Sequence, residues 1–155
     1  MACVGRRIYH WSMENGQTVR SLDIVDQEEP MPLSHISVAF SSDGRLAAVG
    51  PLDWGVMDVW DVFEQRKTLS LRGGSSVMNL AFSPDGGRVL ICQDNLTLHL
   101  WDLAERRTTC KLDPWEGEML VIAHDPHRYH LAFSPDGRRA VLTALDEVVL
   151  FALPK

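Results

Sequence analysis

Apolar residues in this chain come in runs of five or six, cut by short stretches rich in Asp, Gly, Ser and Pro. Val77-Met78-Asn79-Leu80-Ala81-Phe82 is one such run, and Ser83-Pro84-Asp85-Gly86 ends it. Proline presets its own φ and glycine tolerates positive φ, so this quartet predicts a tight turn. The chain returns through Arg88-Val89-Leu90-Ile91-Cys92, turns at Gln93-Asp94-Asn95, and runs on through Leu96-Thr97-Leu98-His99-Leu100-Trp101. After Asp102 to Arg106 comes a fourth run, Arg107 to Leu112. Short β-rich runs with turn signals between them predict an antiparallel meander of four strands.

The same plan recurs on both sides. An earlier copy predicts strands at 36–40, 45–49, 56–60 and 67–71, and a later one at 129–133, 139–143 and 147–153. Further upstream, Arg7 to Trp11 matches the third strand of the plan and Gln17 to Leu22 the fourth. The phrase Ala-Phe-Ser-x-Asp-Gly punctuates each copy, at 39–44, 81–86 and 132–137. Each phenylalanine of the phrase is followed 18 to 20 residues later by another aromatic, Trp60, Trp101 or Phe151. A repeat of this length is one supersecondary unit used several times. Runs such as 88–92 and 148–151 are apolar on both faces, which predicts sheets sandwiched between neighbours.

On these residues the chain resembles a run of WD repeats, the units of β-propeller proteins, from about Arg6 to Leu153. The resemblance assigns a structural signature to Phe40, Asp43, Gly44, Trp60 and Asp61, to Phe82, Asp85, Gly86, Trp101 and Asp102, and to Phe133, Asp136 and Gly137. It implies an all-β fold: a partial β-propeller of four-stranded antiparallel blades, open or completed by oligomerisation. A single domain over residues 1–155 is expected. It divides into the end of a preceding blade (1–23), two blades (35–72 and 76–113), and a last blade lacking its fourth strand (128–153). A long inserted loop occupies 113–127.

Some family features differ. The Gly-His pair usual before the first strand reads Gly73-Gly74 and Ala123-His124, Phe151 replaces a tryptophan, and Trp11 is followed by Ser12. The family's hydrogen-bonded tetrad is therefore not expected to stiffen the blades. Propellers have four to eight blades. An open fan leaves an apolar sheet face at each end, on the order of 10 kcal/mol per face at about 25 cal/mol per Å². Ala2-Cys3-Val4-Gly5 is similar to Ala47-Ala48-Val49-Gly50, which places Met1 inside a second strand. The expectation is the C-terminal part of a larger propeller whose upstream blades are missing, or else a chain that self-associates.

Composition narrows the function. Of 155 residues, 45% are apolar and 23% charged, which is globular. A net charge of −6 argues against nucleic acid, because phosphate binding needs a positive field. No run of eighteen apolar residues predicts a membrane helix, and the N-terminus has no apolar signal core, so a cytoplasmic location is expected. Cys3, Cys92 and Cys110 are odd in number and unpaired in spacing, as reduced thiols would be.

Sorting the turns by face gives one face of mixed charge and an opposite face that is mostly acidic and carries two loop tryptophans. Asp53, Trp54, Trp115, Glu116 and Asp146 are the candidate partner-binding residues there. An indole beside carboxylates suits a cationic or basic protein or peptide; the alternative is acidic loops that serve solubility, with both indoles tucked under them. His124 and His127 are the candidate metal ligands of a segment with three histidines and an aspartate. An extended segment need not bring these rings together, so neither metal nor cofactor is expected. No Gly-x-Ser-x-Gly, phosphate-cradling loop or His-Glu-x-x-His is present. The reading is a non-catalytic scaffold for protein–protein or protein–peptide interaction. Two others stand beside it: a propeller appendage of a kinase or peptidase, and a periplasmic Tol-type propeller.

Overall fold

The computed structural model describes residues 2–4, 7–12, 14–24, 36–51, 55–113, 129–144 and 147–154. All regular structure among them is β. The first sheet holds β1 (Ala2–Val4), β2 (Arg7–Trp11) and β3 (Thr18–Asp23). The second holds β4 (Ile36–Phe40), β5 (Leu46–Pro51), β6 (Val56–Asp61) and β7 (Arg66–Arg72). The third holds β8 (Val77–Phe82), β9 (Arg88–Gln93), β10 (Leu98–Asp102) and β11 (Arg107–Leu112). The last holds β12 (Tyr129–Phe133), β13 (Arg139–Ala144) and β14 (Glu147–Ala152). Every pairing is antiparallel and joins strands that are neighbours in sequence.

The four sheets stack in chain order, which explains why their strands are apolar on both faces. Ile8 and Leu22 of the first sheet meet Ala47, Val49 and Trp60 of the second. Ala48, Met57, Val59 and Leu71, from the other side of the second, meet Val77, Leu80, Phe82 and Ile91 of the third. Leu90, Cys92, Leu98 and Leu100 meet Tyr129, Leu131, Ala140 and Leu142 of the last. Burial pushes the Cys92 thiol up to about 12, so it packs as a neutral hydrophobe. The innermost strands β4, β8 and β12 lie side by side. At Gly50 the second sheet comes so close to the third that a Cβ would stand 2.7 Å from Val77 Cγ1.

No core cluster joins the first sheet to the last among the described residues. The array is a partial β-propeller that does not close. Its outer faces show the consequence: Val148 and Leu150 of β14 are 71% and 64% exposed. On the first sheet Tyr9 and Trp11 stack on each other at 5.5 Å, beside an Arg7–Asp23 ion pair at 2.6 Å.

Each of the first three sheets breaks register just before a tryptophan, Trp11, Trp60 or Trp101, and the third breaks again between Val77 and Asn79. Such bulges sharpen the local twist. In two of them a threonine hydroxyl takes up the carbonyl preceding the tryptophan, Thr68 on Val59 at 2.9 Å and Thr109 on Leu100 at 3.2 Å. The Trp60 and Trp101 rings are buried, and neither indole N–H finds a hydrogen-bond acceptor among the described residues.

Candidate functional site

One rim of the stack is made by the turns between first and second strands and between third and fourth strands. In the last three sheets a backbone bond ties the first turn to the residue just after the third strand: Val62 donates to Arg45, Leu103 to Gly87 and Leu153 to Arg138, all at 2.8–3.0 Å. The Ser-x-Asp-Gly quartets fold alike. The hydroxyls of Ser41, Ser83 and Ser134 each donate to the aspartate two residues on, Asp43, Asp85 or Asp136. Each hydroxyl also accepts the amide of the residue that opens the next strand, Leu46, Arg88 or Arg139, at 2.8–3.0 Å. The aspartate in turn accepts the amide two residues after it at 3.0 Å. These donors, the serine hydroxyl foremost, hold all three carboxyls below the ordinary carboxylate value. Gly44, Gly86 and Gly137 close the quartets at φ of 69°, 72° and 67°, a conformation that side chains disfavour.

The aspartate after each tryptophan organises the second turn. Asp61 accepts the amides of Phe63 and Glu64, and Asp102 that of Glu105. Asp61 is buried and also receives the Arg45 guanidinium at 2.8 Å. The Glu64 amide, helped by Arg45, lowers its pKa against the cost of desolvation. Phe82 is buried at the junction of the second and third sheets, while Phe40 and Phe133 pack at the edges of the other two. The signature residues thus sit in turns and junctions.

Side chains on this rim also tie neighbouring sheets together. Arg20 donates to the Phe63 carbonyl at 3.0 Å and Gln65 to that of Ser21 at 3.4 Å. Ser42 donates to Pro84 at 2.9 Å, and Arg88 to Pro154 and Gly137 at 3.1 and 3.3 Å. On the opposite rim, buried Gln93 donates to Gly73 and Ser75, and Asn79 reaches the Tyr129 carbonyl at 2.7 Å. Beyond the recurrence of the serine, no local pattern points to the parts played by Ser41, Ser83, Ser134, Gln93 and Asn79.

Asp53, Trp54, Trp115, Glu116, Asp146, His124 and His127 lie outside the described residues, as does the run 118–123 read as an extra strand. Among the described residues no three metal-ligating side chains converge. No described helix is long and apolar enough to cross a membrane.

The rim presents hydrogen-bonded turns carried on stacked sheets, the arrangement that defines the class of open β-propeller blades. Residues 64–102 match the family model described as "WD domain, G-beta repeat", and that match ends on Trp101-Asp102. Three curated relatives share the pattern. Periodic tryptophan protein 2 homolog of Schizosaccharomyces pombe is 31% identical over 118 residues, covering 73% of this chain and 13% of its own length. Transducin beta-like protein 3 of Rattus norvegicus is 29% identical over 117 residues, covering 74% and 13%. Small ribosomal subunit protein RACK1z of Oryza sativa subsp. japonica is 38% identical over 81 residues, covering 50% and 23%. The chain belongs to the WD-repeat family. The matched part spans less than a quarter of the length of each of these relatives.

Proposed function

We propose that this chain is a non-catalytic scaffold segment that presents loops to a protein or peptide in the cytoplasm. The observation that supports this most is the bracing of one rim, where three like-folded Ser–Asp turns are tied to each other across the two junctions between them. Loops fixed before a partner arrives lose little entropy on binding. A displayed library of linear peptides, selected on the immobilised protein, should enrich a common motif. Failure to enrich one on folded protein rules the scaffold reading out. Asp53, Trp54, Trp115, Glu116 and Asp146 are proposed as an anchor for basic motifs on the opposite rim. The double variant Trp54→Ala/Trp115→Ala should weaken such binders about tenfold or more, and unchanged affinity removes that anchor.

The blade boundaries belong to the same proposal: 35–72 and 76–113 as complete blades, 1–23 and 128–153 as partial ones, with 113–127 an insertion. Further blades of a longer chain are proposed to cover the two outer faces. The short span of the matched relatives and the exposure of Val148 and Leu150 support this. The isolated chain should then sediment as oligomers, and a chain extended upstream as a monomer. An extended chain that still pairs identifies a second copy as the cover, and a stable monomer of the isolated chain refutes both.

A further inference from the structure

The junctions between sheets are built from equivalent positions, and one pair of them differs. Register places His10 opposite Arg20 in the first sheet where Val59 lies opposite Leu69 in the second. Counting from the tryptophan, Phe63 of the second sheet corresponds to Ala104 of the third, and Val62 to Leu103. At the first junction, Phe63 caps the His10–Arg20 pair. Its ring meets His10 edge-on at 6.4 Å and lies under the Arg20 guanidinium at 4.9 Å. Beneath it Val62 is buried.

At the second junction the residue corresponding to Phe63 is Ala104, and the pair at the register position of His10 and Arg20 is aliphatic, Val59 and Leu69. A cavity of about 150 Å³ lies there, lined by Leu46, Val59, Thr68, Leu69, Leu103 and Arg106. Leu103, unlike Val62, is only half-buried. A cavity of this volume with aliphatic walls is of the size that takes one benzene ring, and is too small for a drug-sized ligand. Arg106 stands at its edge in a left-handed conformation (φ 55°), exposed and without an ion pair among the described residues. Its neighbour Arg107 is already paired with Glu105.

We propose that this socket receives the aromatic side chain of an acidic peptide from a protein partner: a phenylalanine does in trans what Phe63 does in cis, and a neighbouring carboxylate pairs with Arg106. The inference rests on the scaffold reading but concerns a different surface from the acidic loops. The ring buries apolar area against Leu46, Val59 and Leu69. The carboxylate supplies orientation and selects against basic sequences.

The test uses three labelled peptides of equal length: one with phenylalanine flanked by aspartates, one with alanine for the phenylalanine, and one with lysines for the aspartates. Binding is read by anisotropy and by methyl NMR shifts of Val59, Leu69 and Leu103. The first peptide should bind and shift those methyls, and the other two should bind about tenfold more weakly. Ala104→Phe, which puts at the second junction the ring that Phe63 supplies at the first, should occupy the socket and abolish binding without lowering the melting temperature. Arg106→Glu, at an exposed position, should weaken the first peptide and favour the lysine form. Equal binding of all three peptides, or full binding by Ala104→Phe with its fold intact, overturns the proposal, as does no binding by the unmodified protein. Should the library selection yield motifs that Ala104→Phe still binds, the scaffold reading survives and the socket does not.

Discussion

Trp101→Ala should lower the stability read from urea unfolding by about 3–5 kcal/mol, whereas Trp101→Phe should cost less than about 2 kcal/mol. The ring fills the junction of the second and third sheets beside Val59 and Leu103, so deleting it opens a cavity in a core that cannot collapse without moving two sheets. The indole N–H has no acceptor among the described residues, so phenylalanine removes no hydrogen bond. Phe151 already holds the corresponding place in the last sheet. Circular dichroism is the proper signal, since the fluorophore is itself changed. Equal losses for the two variants would show that the indole nitrogen is engaged, contrary to this account.

Gly50→Ala should destabilise the chain by about 1–3 kcal/mol. The residue has an ordinary negative-φ backbone, so the cause is purely steric. The new methyl would lie 2.7 Å from Val77 Cγ1 and 2.9 Å from Val77 Cβ, in a contact between sheets rather than with a flexible side chain. The double variant Gly50→Ala/Val77→Ala should therefore be more stable than the sum of the two single effects predicts, by at least about 0.5 kcal/mol. Strict additivity in thermal unfolding would show that the sheets adjust freely, and the argument from close approach would fail.

The repeat made the fold legible because each blade is a local object. Its strands are consecutive, its turns carry their own Ser, Asp and Gly, and its two-sided apolar runs announce neighbours. Thus β8 falls on the run Val77 to Phe82 with no residue gained or lost. β5 shifts by one or two residues at its ends, to Leu46–Pro51, because pairing with β4 continues to Ile36. The register breaks before the tryptophans were not legible, since one extra residue leaves no mark in an apolar run. Nor were the ties between sheets. Ser42 finds Pro84 across 42 residues and Arg88 finds Pro154 across 66, and no local pattern records such partners. The contrast of Phe63 with Ala104 was visible in the aligned repeats. It acquired meaning only with the strand register, which sets the polar pair His10–Arg20 under Phe63 and an aliphatic pair, Val59–Leu69, at the equivalent place in the next sheet. The partner-binding residues named from the loops remain a sequence-based proposal.

The last strand, Glu147–Ala152, has a hydrogen-bonded neighbour on one side only among the described residues. It also turns Val148 and Leu150 outward. A strand built around Val148, Val149 and Phe151, with a bare edge and a greasy face, is the template from which cross-β aggregates grow. The feature that readies this blade for a neighbour thus makes the isolated segment prone to fibril formation, and a lysine in place of Val148 is the natural gatekeeper against it.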